Sequence, residues 1–312
     1  MAKAKRAPDI GHFAEPDEWA AEVLRLRFAE VLSFTGAALA PSNVDGVHDM
    51  RVALRRLRSA LRDFVEVIDE KPLKRIAKEL KKNAEALGVV RDHDVAVIAL
   101  EQMSSATHDD LIKTGIGELA DEIRKERETA YRKMKKTFSV RSMEDLRERF
   151  VKRVNDAVRQ QSLFRPTTLG ETAREVIEDR LQDFLKKGDT IYDPFEGEKL
   201  HTLRLAAKRL RYAIELFAGC LKNDAAAVAK NISKLQSFLG EVHDCDVWID
   251  RLNRRLIEKG RKAEPKSPSA TATAWLLAKF KEIRSKEYGS ALDQWQAWTA
   301  NSFVDRIREV LR

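Results

Sequence analysis

Apolar residues recur three and four positions apart along nearly the whole chain, and no stretch alternates apolar and polar positions between turns as a half-buried strand would. The pattern predicts helices throughout. The first spans about 16–39; Pro16 opens it with Asp17 and Glu18 in its first turn, and it stops before Pro41. A second, capped by Asn43 or Asp45, continues to about Ile68. A third runs from Pro72 to Leu87, with Gly88 as its left-handed C-terminal residue, and Asp92 then caps the next, with Asp94 in its first turn. Highly charged helices are expected over about 107–138 and 142–163, and Pro166 marks a boundary. Beyond it, helices are expected over 171–187, after Asp193-Pro194, and over 225–239. A loop at 262–273 precedes two closing helices, about 274–286 and 290–311. The fold class is therefore all-α: antiparallel helical bundles joined by short connections. The expected organisation is a flexible basic tail (1–15) followed by halves at 16–165 and 166–312.

Two of these helices carry an unusual polar face. In Val47–Phe64, VHDMRVALRRLRSALRDF, a rotation of about 100° per residue puts His48, Arg51, Arg55, Arg58 and Arg62 within an arc of roughly 80°. Met50, Leu54, Leu57, Leu61 and Phe64 lie opposite. In Leu200–Phe217, LHTLRLAAKRLRYAIELF, the basic arc recurs as His201, Arg204, Lys208 and Arg211, opposite Leu203, Leu210, Ile214 and Phe217. The spacing from His48 to His201 is 153 residues, and Val23, Arg27 and Leu32 meet Val176, Arg180 and Leu185 at the same spacing. At 152 residues, Lys78 and Lys82 meet Lys230 and Lys234. Gly88, Asp92 and Asp94 of LGVVRDHDVA likewise meet Gly240, Asp244 and Asp246 of LGEVHDCDVW. These matches identify an internal duplication.

Like charges stacked at helical spacing repel by a few tenths of a kcal/mol per pair. A helix that needed only solubility would mix acids into that face. Here the one acid is Glu215, where the first copy has Arg62. A cationic stripe kept twice points to a polyanion.

Charge balance sharpens that reading. The 312 residues hold 58 Lys and Arg against 50 Asp and Glu, a net charge of +8, so the excess must be concentrated to attract anionic partners. Charged residues at 35% and apolar ones at 43%, with few Gly and Pro, fit a soluble helical protein with proper cores. Cys220 and Cys245 form no CxxC pair, and a reducing compartment is expected. The basic N-terminus lacks the apolar core of a signal peptide, and no run reaches the ~20 apolar residues of a membrane span. A cytoplasmic protein without membrane contact is expected.

Several chemistries compete for the stripes. His48-Asp49, His93-Asp94 and His243-Asp244 superficially fit the metal set of HD-type phosphohydrolases. The duplication argues against it: Thr202 follows His201, and His93 aligns with Cys245. Asp92, Asp94, Asp244 and Asp246 read more simply as caps or counter-charges. No phosphate-binding GxxxxGK(S/T) and no nucleophile elbow occur. Single-strand nucleic-acid binders interleave aromatics with their basic groups, whereas Tyr212 and Phe217 lie outside the arc. Docking of an acidic protein is a further alternative. No catalytic residue, metal ligand or cofactor is assigned.

The paired motif H-x-x-R-x-x-x-(R/K)-R-L-R, each copy followed by LGxx(R/H)DxDV, resembles the CHAD domain, the conserved histidine α-helical domain, from about residue 16 onward. The resemblance implies two pseudo-symmetric helical bundles around a basic central groove or pore that binds inorganic polyphosphate without catalysis, often at polyphosphate granules and their associated proteins. It makes His48, Arg51, Arg55 and Arg58, with His201, Arg204, Lys208 and Arg211, the matching basic positions. Arg62 extends the first stripe, and Lys78, Lys82, Lys230 and Lys234 would add charge along the walls. Arg suits such a ligand because its planar fork grips phosphate and its charge does not titrate away; helix turns repeat these donors every ~5.4 Å. Many relatives carry a fused triphosphate-tunnel domain with an ExExK motif. The nearest string here, Glu196-Gly197-Glu198-Lys199, brings its Lys one residue early, so no attached tunnel enzyme is expected.

Overall fold

The computed structural model describes residues 15–41, 43–65, 68–69, 71–161, 168–221, 224–260 and 267–311. Its α-helices are α1 (Pro16–Ala38), α2 (Val44–Asp63), α3 (Lys74–Ser105), α4 (Asp110–Thr137), α5 (Val140–Gln161), α6 (Leu169–Lys186), α7 (Gly197–Leu216), α8 (Ala225–Gly260), α9 (Pro268–Ala300) and α10 (Phe303–Leu311). Short 3-10 turns lie at Lys71–Leu73, Gly188–Tyr192 and Ala218–Cys220. The fold is all-α, with no strand among the described residues. No helix among them is long and apolar enough to cross a membrane. The tail expected over 1–15, apart from Glu15, and the boundary expected at Pro166 lie outside the described residues.

Several expectations about helix ends are corrected. Gly88 does not end the third helix, and Asp92 does not cap a fourth: α3 runs through both. Its buried positions Leu80, Leu87, Val90, Asp94 and Leu100 continue one stripe across the glycine. Packing of that stripe outweighs the ~1 kcal/mol that a mid-helix glycine costs. Likewise α8 passes through Gly240 and Asp244, carried by Leu235, Leu239, Val242, Cys245, Trp248 and Leu252, all buried. Of the loop expected at 262–273, residues 268–273 are helical, and 262–266 lie outside the described residues. The Ser267 side chain accepts from the Ala270 N–H to cap α9, which continues through Gly289 to Ala300 as one helix. A separate α10 follows Ser302, whose φ of 48° breaks the helical path. The striped helix is capped by Asn43, whose Oδ1 accepts from the Gly46 N–H at 2.7 Å, and it ends at Asp63 rather than near Ile68.

The chain divides into two compact units. The first takes the described residues up to Val95, with Lys125–Val176 and Leu216–Leu221. Its core packs α1 on α2 and α5, with Trp19 edge-on to Phe64 at 5.6 Å and Phe28 against Phe150 at 4.8 Å. The second takes Ala96–Arg124, Ile177–Glu215 and the described residues from 224 onward. Its core gathers Leu100, Ile116, Ile123, Leu252 and Leu276 around Trp248 and Phe280, stacked at 5.0 Å. A second aromatic group joins Phe184, Trp295, Trp298 and Phe303.

Candidate functional site

In the first unit, burial of Val47, Met50, Leu54, Leu57 and Phe64 fixes the rotation of α2 and leaves its basic arc half-buried or exposed. Arg51 reaches α3, where its Nη1 donates to Asp92 Oδ1 at 3.0 Å. A Cβ added at Gly88 would lie 3.9 Å from the Arg51 Nε and Nη2. The glycine thus sits beneath the guanidinium. The His48 pKa is pushed below the usual 6.5 by burial first, then by Arg91; Asp49 opposes and Arg55 adds to the depression.

Arg58 and Arg62, near the end of α2, meet Lys78 of α3 at a cleft of about 300 Å³ that Lys74 and Lys81 also line. Lys82 is exposed and lies outside that lining.

In the second unit, α7 buries Leu203, Leu210 and Ile214 in the same way. Arg204 lies over Gly240, where an added Cβ would come within 3.3 Å of its Nε. That Nε is buried and has no hydrogen-bond acceptor. The His201 ring packs on His243, centroids 4.0 Å apart and planes 35° apart. Burial first, then His243, Arg204 and Lys208 push the His201 pKa below 6.5, against Glu198. Arg211 donates from Nε to Gln236 Oε1 at 2.9 Å and from Nη1 to Glu215, and it lies 4.4 Å over the Tyr212 ring. Glu215 therefore neutralises Arg211, which weakens the second stripe at that end. Lys208 is half-buried, and Lys230 and Lys234 are exposed on α8.

Sequence reasoning passed over a latch that recurs in each unit. Arg127 Nε donates to Asp94 Oδ1 at 2.9 Å and its Nη1 to the Pro41 carbonyl at 3.2 Å. One turn on, the Tyr131 hydroxyl donates to the Leu39 carbonyl at 2.6 Å. In the second unit Arg284 donates to Asp246 and to the Pro194 carbonyl, and Tyr288 to the Ile191 carbonyl at 2.7 Å. Each latch ties the turn before a striped helix to the aspartate of the long helix after it. Asp94 and Asp246 are thus counter-charges rather than caps. The available signal was Arg-x-x-x-Tyr at Arg127/Tyr131 and Arg284/Tyr288.

Burial lifts the Cys220 thiol to about 11 and Cys245 to about 12, so both stay protonated near neutrality. Among the described residues no three His, Cys, Asp or Glu side chains form a group that could hold a metal ion.

Comparison with known proteins follows the same lines. The chain is 30% identical to uncharacterized protein Rv2226 of Mycobacterium tuberculosis H37Rv, over 70% of this chain and 42% of that protein. Uncharacterized protein MT2285 of strain CDC 1551 matches to the same extent, so the chain spans less than half the length of these relatives. The fold is that of the crystal structure of the CHAD domain from the plant Ricinus communis, with a TM-score of 0.73 at 21% identity and 95% of each chain covered. PptA from Streptomyces chartreusis matches with a TM-score of 0.60 at 16% identity, over 90% of this chain and 99% of that one. The CHAD domain profile matches residues 22–253, and the chain belongs to the CHAD domain family.

Proposed function

We propose that the protein binds inorganic polyphosphate without turning it over, through the stripe His48, Arg51, Arg55, Arg58, Arg62 and Lys78 and its counterpart His201, Arg204, Lys208 and Arg211. One observation carries the reading: in each unit, burial of the apolar face of the striped helix leaves its row of cations half-buried or exposed. Cations repeated at helix-turn spacing favour an anion of high charge density. Burial is the main cause that holds His48 and His201 toward neutral, and a neutral imidazole still donates one hydrogen bond to a phosphate oxygen.

The nearby aromatic rings Phe64, Tyr212 and Phe217 are buried, which favours a bare phosphate chain over a nucleic acid that needs stacking platforms. Arginines engage Asp94 and Asp246 as counter-charges, which favours binding over metal-assisted hydrolysis. Cytoplasmic polyphosphate, free or in granules with their associated proteins, is the partner this reading implies.

Calorimetric titration with long-chain polyphosphate at moderate salt, with released phosphate monitored, tests it. Each arginine contributes about 1.5–3 kcal/mol if its contact is charge-assisted. Arg51→Gln with Arg204→Gln should therefore weaken binding by roughly a hundredfold or more. Log K should fall against log salt with a slope of about 0.7–0.9 per phosphate neutralised. An unchanged affinity in the double variant, or steady phosphate release, would overturn the proposal.

A further inference from the structure

The cleft at the end of α2 differs from the rest of the stripe. Its floor is aliphatic, built from Leu61, Val65, Ile68, Leu73 and Ala77. Ile68 and Leu73 belong to the core, but Val65 remains 37% exposed. Around the floor stand Arg58 and Arg62 from α2 and Lys74, Lys78 and Lys81 from α3. Arg62 also donates to the Ser59 hydroxyl at 3.3 Å, and Lys81 pairs at the surface with Glu85 at 3.6 Å.

A bare phosphate chain gains nothing from an aliphatic floor, since it offers only oxygens. A ligand with an apolar body beside its phosphates uses both surfaces. The second half of the sequence strengthens the distinction. At corresponding positions it keeps Arg211 for Arg58 and Lys230 for Lys78, but it has Glu215 for Arg62, Ala226 for Lys74 and Ser233 for Lys81. Three of the five cations thus belong to the first half alone. Cations serving only the repeated polyanion stripe would repeat with it.

We propose that this cleft, which shares Arg58, Arg62 and Lys78 with the polyanion stripe, also takes an organic phosphate of the nucleoside triphosphate class. The aliphatic floor takes the base and ribose, and the cationic rim takes the phosphates. About 300 Å³ suits such a body, with the phosphates at the mouth. Charge complementarity selects the triphosphate over the monophosphate, because each added phosphate charge meets a further cation of the rim.

The test is calorimetric titration of the full chain with ATP, adenosine and inorganic tripolyphosphate, without divalent metal. ATP should bind at least about tenfold more tightly than tripolyphosphate, and adenosine should give no measurable heat. Ala77→Trp fills the cleft; it should weaken ATP at least about tenfold while leaving long-chain polyphosphate within about twofold. Lys81→Glu, on an exposed side chain, reverses one rim charge without touching the core and should also weaken ATP. ATP and tripolyphosphate binding equally well would overturn the proposal, as would ATP affinity unmoved by Lys81→Glu. If circular dichroism shows that Ala77→Trp does not fold, the Lys81→Glu titration decides alone.

Discussion

Replacing Arg127 by alanine tests whether the latch holds the first striped helix in place. Asp94 is 6% exposed, and its Oδ2 is buried with no hydrogen-bond partner, so the bond from Arg127 to Oδ1 is its main compensation. Removing one member of a buried pair costs about 3–5 kcal/mol, chiefly because the other charge stays buried and uncompensated. Lost contacts to the Pro41 carbonyl and to the Tyr131 ring, 5.2 Å away, lie within that range rather than adding to it. Arg284→Ala provides the internal control. The Asp246 side chain is 31% accessible, so water can replace the guanidinium and the loss should be only about 1–2 kcal/mol. Urea unfolding followed by circular dichroism measures both, and a domain is stable by only about 5–15 kcal/mol, so the difference is readily seen. Arg127→Met combined with Asp94→Leu removes both charges and should recover most of the loss. Equal losses in the two alanine variants, or a loss below about 1 kcal/mol for Arg127→Ala, would refute the reasoning.

Other outcomes follow from the same contacts. Gly88→Ala should raise the melting temperature, because the new methyl meets Arg51 no closer than 3.9 Å while alanine gains up to about 1 kcal/mol in helix propensity. Gly240→Ala should gain less and weaken polyphosphate binding, since its methyl comes within 3.3 Å of the Arg204 Nε; equal gains by calorimetry would contradict this. The histidines set a pH dependence. With His48 and His201 held below 6.5 in the folded state, the unfolded chain binds more protons between that lowered value and 6.5, so stability falls as pH drops through this window. Saturating polyphosphate should raise both folded values and flatten or reverse the fall, with net proton uptake on binding. A melting profile unaffected by pH down to about 5, without polyphosphate, would count against it.

The helical class and the rotation of both striped helices were legible because burial of an amphipathic face is a local, periodic property. Met50, Leu54 and Leu57 are buried as their spacing requires, as are Leu203, Leu210 and Ile214. Local punctuation misled where a distant partner gave the residue its role. Gly88 carries the signature of a helix end, but α3 runs through it beneath Arg51; at Gly240 the missing side chain does make room, since a Cβ there would come within 3.3 Å of the Arg204 Nε. Asp94 carries the signature of a first-turn acid, but its partner Arg127 lies 33 residues away. The latch escaped a repeat search at 152–153 residues because Arg127 and Arg284 are 157 apart. A fixed offset slides past it where intervening segments differ in length.

Corresponding positions therefore say most when read as contacts. Arg51 over Gly88 and Arg204 over Gly240 recur together, as do the two Asp–Arg–Tyr latches that tie the turn before each stripe to the long helix after it. Departures concentrate elsewhere: His243 for Arg91 beside the lead histidine, and Glu215, Ala226 and Ser233 for the cations of the aliphatic cleft. The first unit sets Arg91 beside its histidine; the second packs the His243 ring on its own, centroids 4.0 Å apart. Three of the five cations of the aliphatic cleft do not recur in the second half, so recognition of phosphates with an apolar body should belong to the first unit alone.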